Sequence, residues 1–203
     1  EDIARAERDK DNLTLSSLRK EVAREFELNL MKYLRPMGLD NVQFQIQFTS
    51  INPNEKGVDG VQFLFSANPG QPLAPLTEVA SGGEMSRFLL ALKAILAQVN
   101  GSGTLVFDEI DTGVSGRVSG AIAEVLKNLA VHRQVFCITH QPLIAAAADH
   151  HFCVSKLVQN GITSSQVSHL VDLQDRQKEL AELAGGDFAK AKIYAASLLD
   201  HEA

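Results

Sequence analysis

The first 35 residues carry apolar side chains at helical spacing. The positions that recur every three or four residues are Leu15, Leu18, Val22, Phe26 and Leu30. This stripe predicts an amphipathic helix that ends at Pro36 and Gly38. Residues 1–12 ahead of the stripe are almost wholly charged, which fits the exposed end of a coiled coil and a solvated helix of a globular domain equally well.

Two short segments then show the period of β-strands. In VQFQIQF, residues 42–48, apolar and polar side chains alternate strictly, as they do in a half-buried strand. VQFLF at 61–65 predicts a second strand. Residues 52–60 between them are rich in Asn, Pro and Gly, so the sequence predicts a hairpin with its loop over this segment.

The pattern changes at Ser81, where a long apolar helix is predicted to begin. From Met85 to Val99 apolar residues fall at helix spacing with few polar positions between them. A helix of this composition should be buried on most sides. Asn100 and Gly101 are typical of a helix C-terminus and are expected to end it.

Strands and helices alternate over the rest of the chain. The predicted strands are 104–107, 134–139, 151–156 and 162–170, and the predicted helices are 114–130, 142–148, 172–184 and 187–200. Such alternation is typical of parallel strands joined by crossover helices. VFCIT at 135–139 is continuously apolar, as expected of a strand buried on both faces. The predicted fold class is therefore α/β, a mainly parallel sheet flanked by helices, with a β-hairpin.

Bulk composition limits the function classes. The chain has 203 residues, 45% of them hydrophobic, which suits one large domain or a domain with an appendage. Its net charge of −6 argues against nucleic-acid binding by overall charge, although a local patch stays compatible. No apolar run approaches the ~18–20 residues of a membrane span, and the charged N-terminus is not signal-like, so we expect a cytoplasmic protein with no membrane partner. Cys137 and Cys153 are predicted to be buried free thiols.

The segment TLVFDEIDTGVSG, residues 104–116, runs from an apolar strand into carboxylates. Asp108 and Glu109 stand at the carboxyl end of a strand, where ligands gather in α/β sheets, and Asp111 follows. An Asp at this place can hold Mg²⁺ through its water shell, and a neighbouring Glu can orient or deprotonate a water. A solvated acidic turn explains the pattern equally well when it is taken alone.

Two further segments carry candidate chemistry. Ser81, Gly82 and Gly83 come directly before the buried helix and Glu84 follows them; this arrangement fits an anion site at a helix N-terminus. A Ser-x-x-Glu capping box is the simpler explanation of that segment alone. His140 ends the next apolar strand and should lie at the same sheet edge as the acids, where its ring can donate to a phosphate oxygen, although a structural histidine is commoner.

The order of these three segments resembles the C-terminal half of an ABC-type ATPase head. Residues 81–84 resemble its signature motif, 104–109 its Walker B strand and 110–113 its D-loop, and His140 resembles the switch histidine. The segments VASGGEMSRFLLALKAIL, FDEIDTGVSG, THQPLIAAAADHHFCVSK and ELAELAGG are similar, more narrowly, to the RecN family, relatives of the structural-maintenance-of-chromosomes (SMC) proteins. The similarity covers roughly residues 60–190.

The resemblance implies a domain plan and an activity. Residues 1–35 would be the end of a coiled-coil arm with its helix into the head, and 36–203 the C-terminal lobe of that head. The activity implied is ATP hydrolysis, coupled to holding or joining broken DNA during recombinational repair of double-strand breaks. The implied cofactors are ATP and Mg²⁺, the implied partner is DNA, and the implied place is the nucleoid.

The resemblance also assigns roles to residues near the acid pair. Asp108 would hold Mg²⁺, Glu109 would be the general base, and His140 would contact the γ-phosphate. Asp111 would lie at the seam of a homodimer closed by two ATP molecules.

The signature residues would act in trans, on the nucleotide of the opposing subunit. Ser81 and Gly83 would reach its γ-phosphate, with Gly82 and Glu84 in the same nucleotide-binding segment. Ala80 and Glu84 stand where transporters commonly carry Leu and Gln, and both departures fit the chromosome-associated branch better.

The phosphate-binding loop of this class, G-x-x-x-x-G-K-[ST], does not occur in the sequence. The resemblance implies that an N-terminal half of the same protein supplies this loop, so that the chain alone is expected to be inactive. A transporter's nucleotide-binding subunit and an ATP-independent interaction module are the alternatives. The transporter does not explain the charged N-terminal helix, and the module has no need of Glu109.

Overall fold

The structure is a computed structural model that describes residues 2–66, 70–78, 82–96, 103–159, 162–186 and 189–200. The chain divides into two compact units, residues 1–96 and 97–203. The predicted division between residues 1–35 and 36–203 stays a prediction.

The first unit combines two helices with a small antiparallel sheet. Its elements are α1 (Asp2–Leu34), β1 (Gln43–Asn54), β2 (Gly57–Ser66), β3 (Ala74–Pro75), a 3₁₀ turn (Leu76–Glu78) and α2 (Gly82–Leu96). The strands pair in the order β1-β2-β3, and both pairings are antiparallel. The predicted N-terminal helix and hairpin are therefore confirmed.

The predicted loop over residues 52–60 is wrong. The strands continue through most of it, with Ser50 opposite Asp59 and Asn54 opposite Gly57. Gly57 has a φ of +100°, a conformation that glycine adopts without steric cost, so the chain reverses within two residues. The irregularity in the pairing between Ser50 and Asn54 accommodates Pro53, which has no N–H for the ladder.

Aromatic packing forms the core of the first unit. Phe88 of α2 is fully buried, and its ring centre lies 5.5 Å from that of Phe44 and 5.2 Å from that of Phe65. Phe63 stacks on Phe26 of α1 at 6.4 Å. Phe44 is opposite Phe65 and Phe63 lies two residues away, so both helices pack on the same face of the hairpin.

The predicted apolar stripe of α1 is only partly buried. Leu30 is fully buried, but Leu18 and Val22 are more than half exposed. They line an open apolar groove of about 360 Å³ between α1 and the hairpin. The buried side of the helix runs instead through Ser16, Ala23, Leu30 and Leu34, because the hairpin and α2 contact that side.

The second unit alternates strands and helices as predicted. Its elements are β4 (Thr104–Phe107), α3 (Gly116–Ala130), β5 (Gln134–Cys137), α4 (Pro142–Ala146), β6 (His151–Gln159), β7 (Ile162–Leu170), α5 (Leu173–Leu183) and α6 (Ala189–Asp200). Strands β4 and β5 are parallel, and α3 is their crossover helix. The apolar side of α3 is buried, with Ile122, Leu126 and Leu129 among its buried residues.

The mainly parallel sheet is a wrong prediction for the residues that the structure describes. They form three small sheets, and β4–β5 is the single parallel pair among them. Strand β6 pairs with β7 in antiparallel fashion along its whole length. Only two residues, 160 and 161, separate these strands in the sequence, and so short a connection favours a hairpin over a parallel partner.

The prediction that 135–139 is buried on both faces is also wrong. Val106 is 66% exposed, Phe136 46% and Ile138 61%, although all three are apolar. Val106 is opposite Phe136 in the register and Ile138 lies two positions further along, so the three share one face of the pair. We call them the β4–β5 apolar face.

Three helices close the second unit. Buried residues of α4, α5 and α6 pack in one cluster that includes Ala145, Leu180 and Ala195. Cys137 and Cys153 are free thiols, as predicted, but both are only half-buried. Among the described residues, no helix has the length and apolar character needed to cross a membrane.

Candidate functional site

The acid pair lies immediately after β4, as predicted. Both Asp108 and Glu109 are exposed to solvent. The backbone N–H of Glu109 donates to Asp108 Oδ1 over 2.9 Å. Glu109 has a φ of 57°, and no other non-glycine residue in the described part of the chain has a positive φ. This left-handed conformation costs about 1 kcal/mol or more for a residue with a Cβ.

Asp111, by contrast, is buried, with only 2% of its surface exposed. Its Oδ2 accepts two hydrogen bonds and lies close to a third nitrogen. The hydroxyl of Thr139 donates over 2.5 Å, the backbone N–H of His140 over 2.9 Å, and His140 Nδ1 lies 3.2 Å away. A buried carboxylate requires such partners, because desolvation of an unpaired charge is costly.

His140 follows β5, and the structure brings it to the same edge as the acids. Ile138 N–H donates to the carbonyl of Phe107 over 2.9 Å, which carries the parallel pairing one residue past β5. The His140 side chain is 67% exposed, while the Asp111 side chain that it contacts is 3% exposed. The imidazole therefore faces solvent while its Nδ1 contacts the buried carboxylate of Asp111.

Thr139 is a site residue that sequence reasoning missed. Besides donating to Asp111, its Oγ1 accepts the N–H of Gln141 over 3.0 Å. The Gln141 side chain in turn accepts from Ser119 of α3 over 3.3 Å, and that hydroxyl also lies 3.1 Å from the carbonyl of Ser115. The sequence feature that could have indicated its role is the position of a hydroxyl residue directly before His140 at the end of a strand.

The acids also act on a neighbouring thiol. Burial raises the pKa of Cys137 to about 12, with smaller contributions from the negative charges of Asp111 and Asp108. The thiol therefore stays protonated at neutral pH and is a poor nucleophile and metal ligand. In the described ranges no three His, Cys, Asp or Glu side chains form a group able to hold a metal ion by themselves.

The signature segment lies in the first unit, at the start of α2. Gly82 is exposed at its first position, and Gly83 and Glu84 are half-buried in the first turn. Ser81 lies outside the described residues, so the predicted helix cap stays a prediction. Phe88, six residues into the helix, anchors α2 in the aromatic core.

Burial lowers the pKa of the Arg87 guanidinium one turn into α2, and the negative charge of Glu84 opposes this shift. Arg87 is 7% exposed, so a buried cation lies about one turn after the half-buried carboxylate of Glu84. The charged side chains of this segment, Glu84 and Arg87, therefore lie within the first two turns of α2.

No protein-family model matches the chain. Individual relatives do match. The chain is 44% identical to the DNA repair protein RecN of Synechocystis over 93% of its length, 40% identical to RecN of Halalkalibacterium halodurans over 94%, and 36% identical to RecN of Bacillus subtilis over 83%. These alignments cover 35%, 35% and 31% of the respective relatives, so the chain spans about a third of their length.

Among solved structures, the Smc head domain with a coiled coil and joint from Pyrococcus yayanosii is similar. Its TM-score is 0.58 at 22% identity, and the match covers 90% of this chain and 32% of that one. At this identity the similarity concerns the fold alone. The chain has an SMC head-like α/β fold.

Proposed function

Because this chain is homologous over nearly all of its length to a segment of the RecN DNA repair proteins, we propose that it is the C-terminal part of an SMC-like ATPase head. The complete protein couples ATP binding and hydrolysis to holding or joining broken DNA during recombinational repair. It acts in the cytoplasm at the nucleoid.

One observation carries the ATPase proposal beyond homology. The acid pair after β4 and the histidine after β5 lie at neighbouring carboxyl ends of a parallel pair, and the 3.2 Å approach of His140 Nδ1 to Asp111 joins the two loops. Ligands of α/β sheets bind at such an edge. The exposed groups there are two carboxylates and an imidazole, which suit a metal–phosphate complex and an attacking water.

Each exposed side chain has a role in this scheme. Asp108 holds Mg²⁺, which prefers one or two carboxylates with waters and substrate phosphates to an all-protein cage; this preference fits a lone acidic ligand. Mg²⁺ supplies positive charge to the phosphates when it is bound. Glu109 orients and deprotonates the attacking water, and His140 donates a hydrogen bond to a γ-phosphate oxygen.

The phosphate-binding loop comes from an N-terminal half of the same protein. The β4–β5 apolar face supports this arrangement, because parallel strands are normally covered on both faces and Val106, Phe136 and Ile138 are exposed. The N-terminal half covers this face and cradles the nucleotide whose γ-phosphate meets Glu109.

The second nucleotide contact comes from the opposing subunit of a homodimer. Ser81, Gly82, Gly83 and Glu84 at the start of α2 bind the partner's ATP, and Asp111 lies near the seam between subunits. Each site then combines Glu109 of one subunit with Ser81 of the other.

A mixing experiment with the complete protein tests this composite site. Ser81→Ala should lose about 1–2 kcal/mol of transition-state stabilisation, roughly 5- to 30-fold in rate, and Glu109→Gln should lose nearly all turnover. In a heterodimer of the two variants one site collects both lesions and the other has none. The mixture should therefore hydrolyse ATP faster than the mean of the separate variants, with and without DNA ends.

Crosslinked heterodimers of the same two variants are the control, because they remove homodimers from the sample. If the site is built within one subunit, every site carries one lesion and the heterodimer shows only the mean rate. That result would exclude the shared site.

A further inference from the structure

Asp111 is bound to the Thr139–His140 segment of its own subunit, a contact that a role at the dimer seam alone does not explain. A single oxygen, Asp111 Oδ2, accepts hydrogen bonds from a side-chain hydroxyl and a backbone N–H, and the ring nitrogen Nδ1 of His140 lies 3.2 Å from it. Hydrogen bonds to an ionised acceptor are about twice as strong as neutral ones. The carboxylate itself is almost fully buried, so these bonds form in a medium of low dielectric.

We propose that Asp111 is a positioning residue for His140, and that Thr139 is its auxiliary in that role. The pair fixes the orientation of the imidazole, so that Nε2 is directed to the γ-phosphate before the nucleotide arrives. This inference rests on the proposed ATPase function and adds a role within the subunit to the one expected at the dimer seam.

The physical reason is the exposure of the ring. An imidazole that is 67% exposed has few packing contacts to restrict its two side-chain torsions. The bond to the backbone N–H of His140 holds the Cα, and the contact at Nδ1 holds the ring, so one oxygen constrains both ends of the side chain. With Nδ1–H directed to Asp111, Nε2 can donate to a γ-phosphate oxygen only when it also carries a proton, as both ring nitrogens do in the imidazolium.

Thr139 restricts the orientation of the Asp111 carboxylate. Its hydroxyl donates to Asp111 and accepts from Gln141 N–H, so the carboxylate cannot rotate without breaking a bond on the other side. The Gln141 side-chain nitrogen lies 3.4 Å from His140 Nε2 and is a second polar neighbour of the ring. Gln141 is only half-buried, whereas Asp111, which contacts the ring at Nδ1, is buried.

The link also couples the two catalytic loops. Asp111 is two residues after Glu109, whose backbone is strained, and it is bonded to the loop that carries His140. A displacement of either loop therefore moves the proposed base and the proposed phosphate contact together. Misplacement of a positioned group by about 1 Å can cost on the order of 100-fold in rate.

A double-mutant cycle on the complete protein tests this role. We measure kcat and KM for ATP in wild type, Asp111→Asn, His140→Ala and the double variant. Asp111→Asn should lower kcat by about 10- to 100-fold with little change in KM. Once His140 is Ala, the same substitution should lower kcat by a much smaller factor, which measures what Asp111 does for the Glu109 loop and the dimer seam. A defect in folding alone would lower activity by the same factor in both backgrounds, and that additive result would overturn the proposal.

Thr139 provides a second, milder cycle in case Asp111→Asn does not fold. Thr139→Val removes the hydroxyl at nearly constant shape and should lower kcat, whereas Thr139→Ser keeps it and should restore most of the rate. Equal rates for Val and Ser variants would also overturn the proposal. Asp175→Asn, which neutralises an exposed carboxylate in the first turn of α5, is the matched control and should leave kcat unchanged.

The cycle separates this inference from the function on which it rests. Absence of Mg²⁺-dependent ATP turnover in the wild-type protein would reject the ATPase proposal, and the positioning role with it. Turnover in the wild type with additive losses at Asp111 and His140 would reject the positioning role alone.

Discussion

Glu109 combines an exposed carboxylate with a backbone conformation that residues with a Cβ seldom adopt. Its φ of 57° is held by the N–H bond to Asp108 Oδ1 and by the turn in which Thr112 N–H donates back to the Glu109 carbonyl over 3.4 Å. Strained backbone of this kind persists only where the surroundings enforce it, and it is enriched at functional sites. The strain is therefore expected to cost stability in exchange for the placement of the carboxylate.

A pair of substitutions at this position separates strain from chemistry. Glu109→Gly should raise the free energy of unfolding by about 0.5–1 kcal/mol, because glycine adopts positive φ without the Cβ penalty. Glu109→Gln keeps the Cβ and should leave stability unchanged, while both variants lose ATP turnover. Thermal unfolding of the complete protein measures this difference. A lower melting temperature for the Gly variant would show that the conformation is not strained.

The sequence predicted where the site residues lie but not how they contact each other. The end of an apolar strand locates Asp108 and His140, because strand periodicity and parallel pairing are both visible in the pattern. The burial of Asp111 and its contact with Thr139 depend on side-chain packing between two loops, which no period in the sequence records.

At the scale of elements, the hairpin is fastened to α1 by a polar cluster. Asp59 of β2 accepts from Ser16 over 2.7 Å and from Arg19 over 3.1 Å, and its side chain is 7% exposed. Arg19 also donates to the carbonyl of Lys56 over 2.8 Å, at the hairpin turn. The hydrogen bond from Ser16 is the main cause that lowers the pKa of Asp59, with Arg19 contributing in the same direction.

This cluster predicts an acid-dependent loss of stability. A carboxyl whose pKa is lowered by folding stabilises the protein above its unfolded pKa, near ~3.9, and the contribution is lost as pH falls through the folded pKa. Wild type should therefore melt higher than Asp59→Asn at pH 7, and the gap should close as pH falls from about 4 towards 2. Asp40→Asn, at an exposed acid of the same unit, is the control and should show no such convergence. A gap that persists unchanged at pH 2 would exclude the ionised Asp59 as its cause.

The elements themselves were predicted with uneven success for physical reasons. Apolar and polar residues in the sequence predicted β1 and β2. The extent of their pairing could not be predicted in this way, because it depends on Gly57 and on contacts to residues of α1 about 40 positions away in the sequence. The parallel pair β4–β5 followed from the strand–helix–strand pattern. The partner of β6 could not be predicted from that pattern, because the order of strands and helices along the chain does not specify which strands are hydrogen-bonded to each other.

At the scale of the whole molecule, the described part of the chain leaves apolar surfaces uncovered in both units. The β4–β5 apolar face belongs to the second unit, and the groove beside Leu18 and Val22 belongs to the first. The chain spans about a third of the length of its RecN relatives. In the proposed protein, the remaining length supplies what covers the β4–β5 face and what binds the phosphates, so the acids of this chain form one part of a larger site.

The most direct test of the account is ATP turnover by the complete protein with Glu109→Gln, beside Glu124→Gln on the exposed side of α3 as the matched control. Glu109→Gln should bind Mg²⁺-ATP like wild type, slow hydrolysis by about 100-fold or more because an amide accepts no proton from water, and accumulate as a dimer of doubled mass in solution. Glu124→Gln should match wild type in all three measurements. Wild-type turnover by Glu109→Gln would contradict the assignment of this carboxylate as the base and the account built on it.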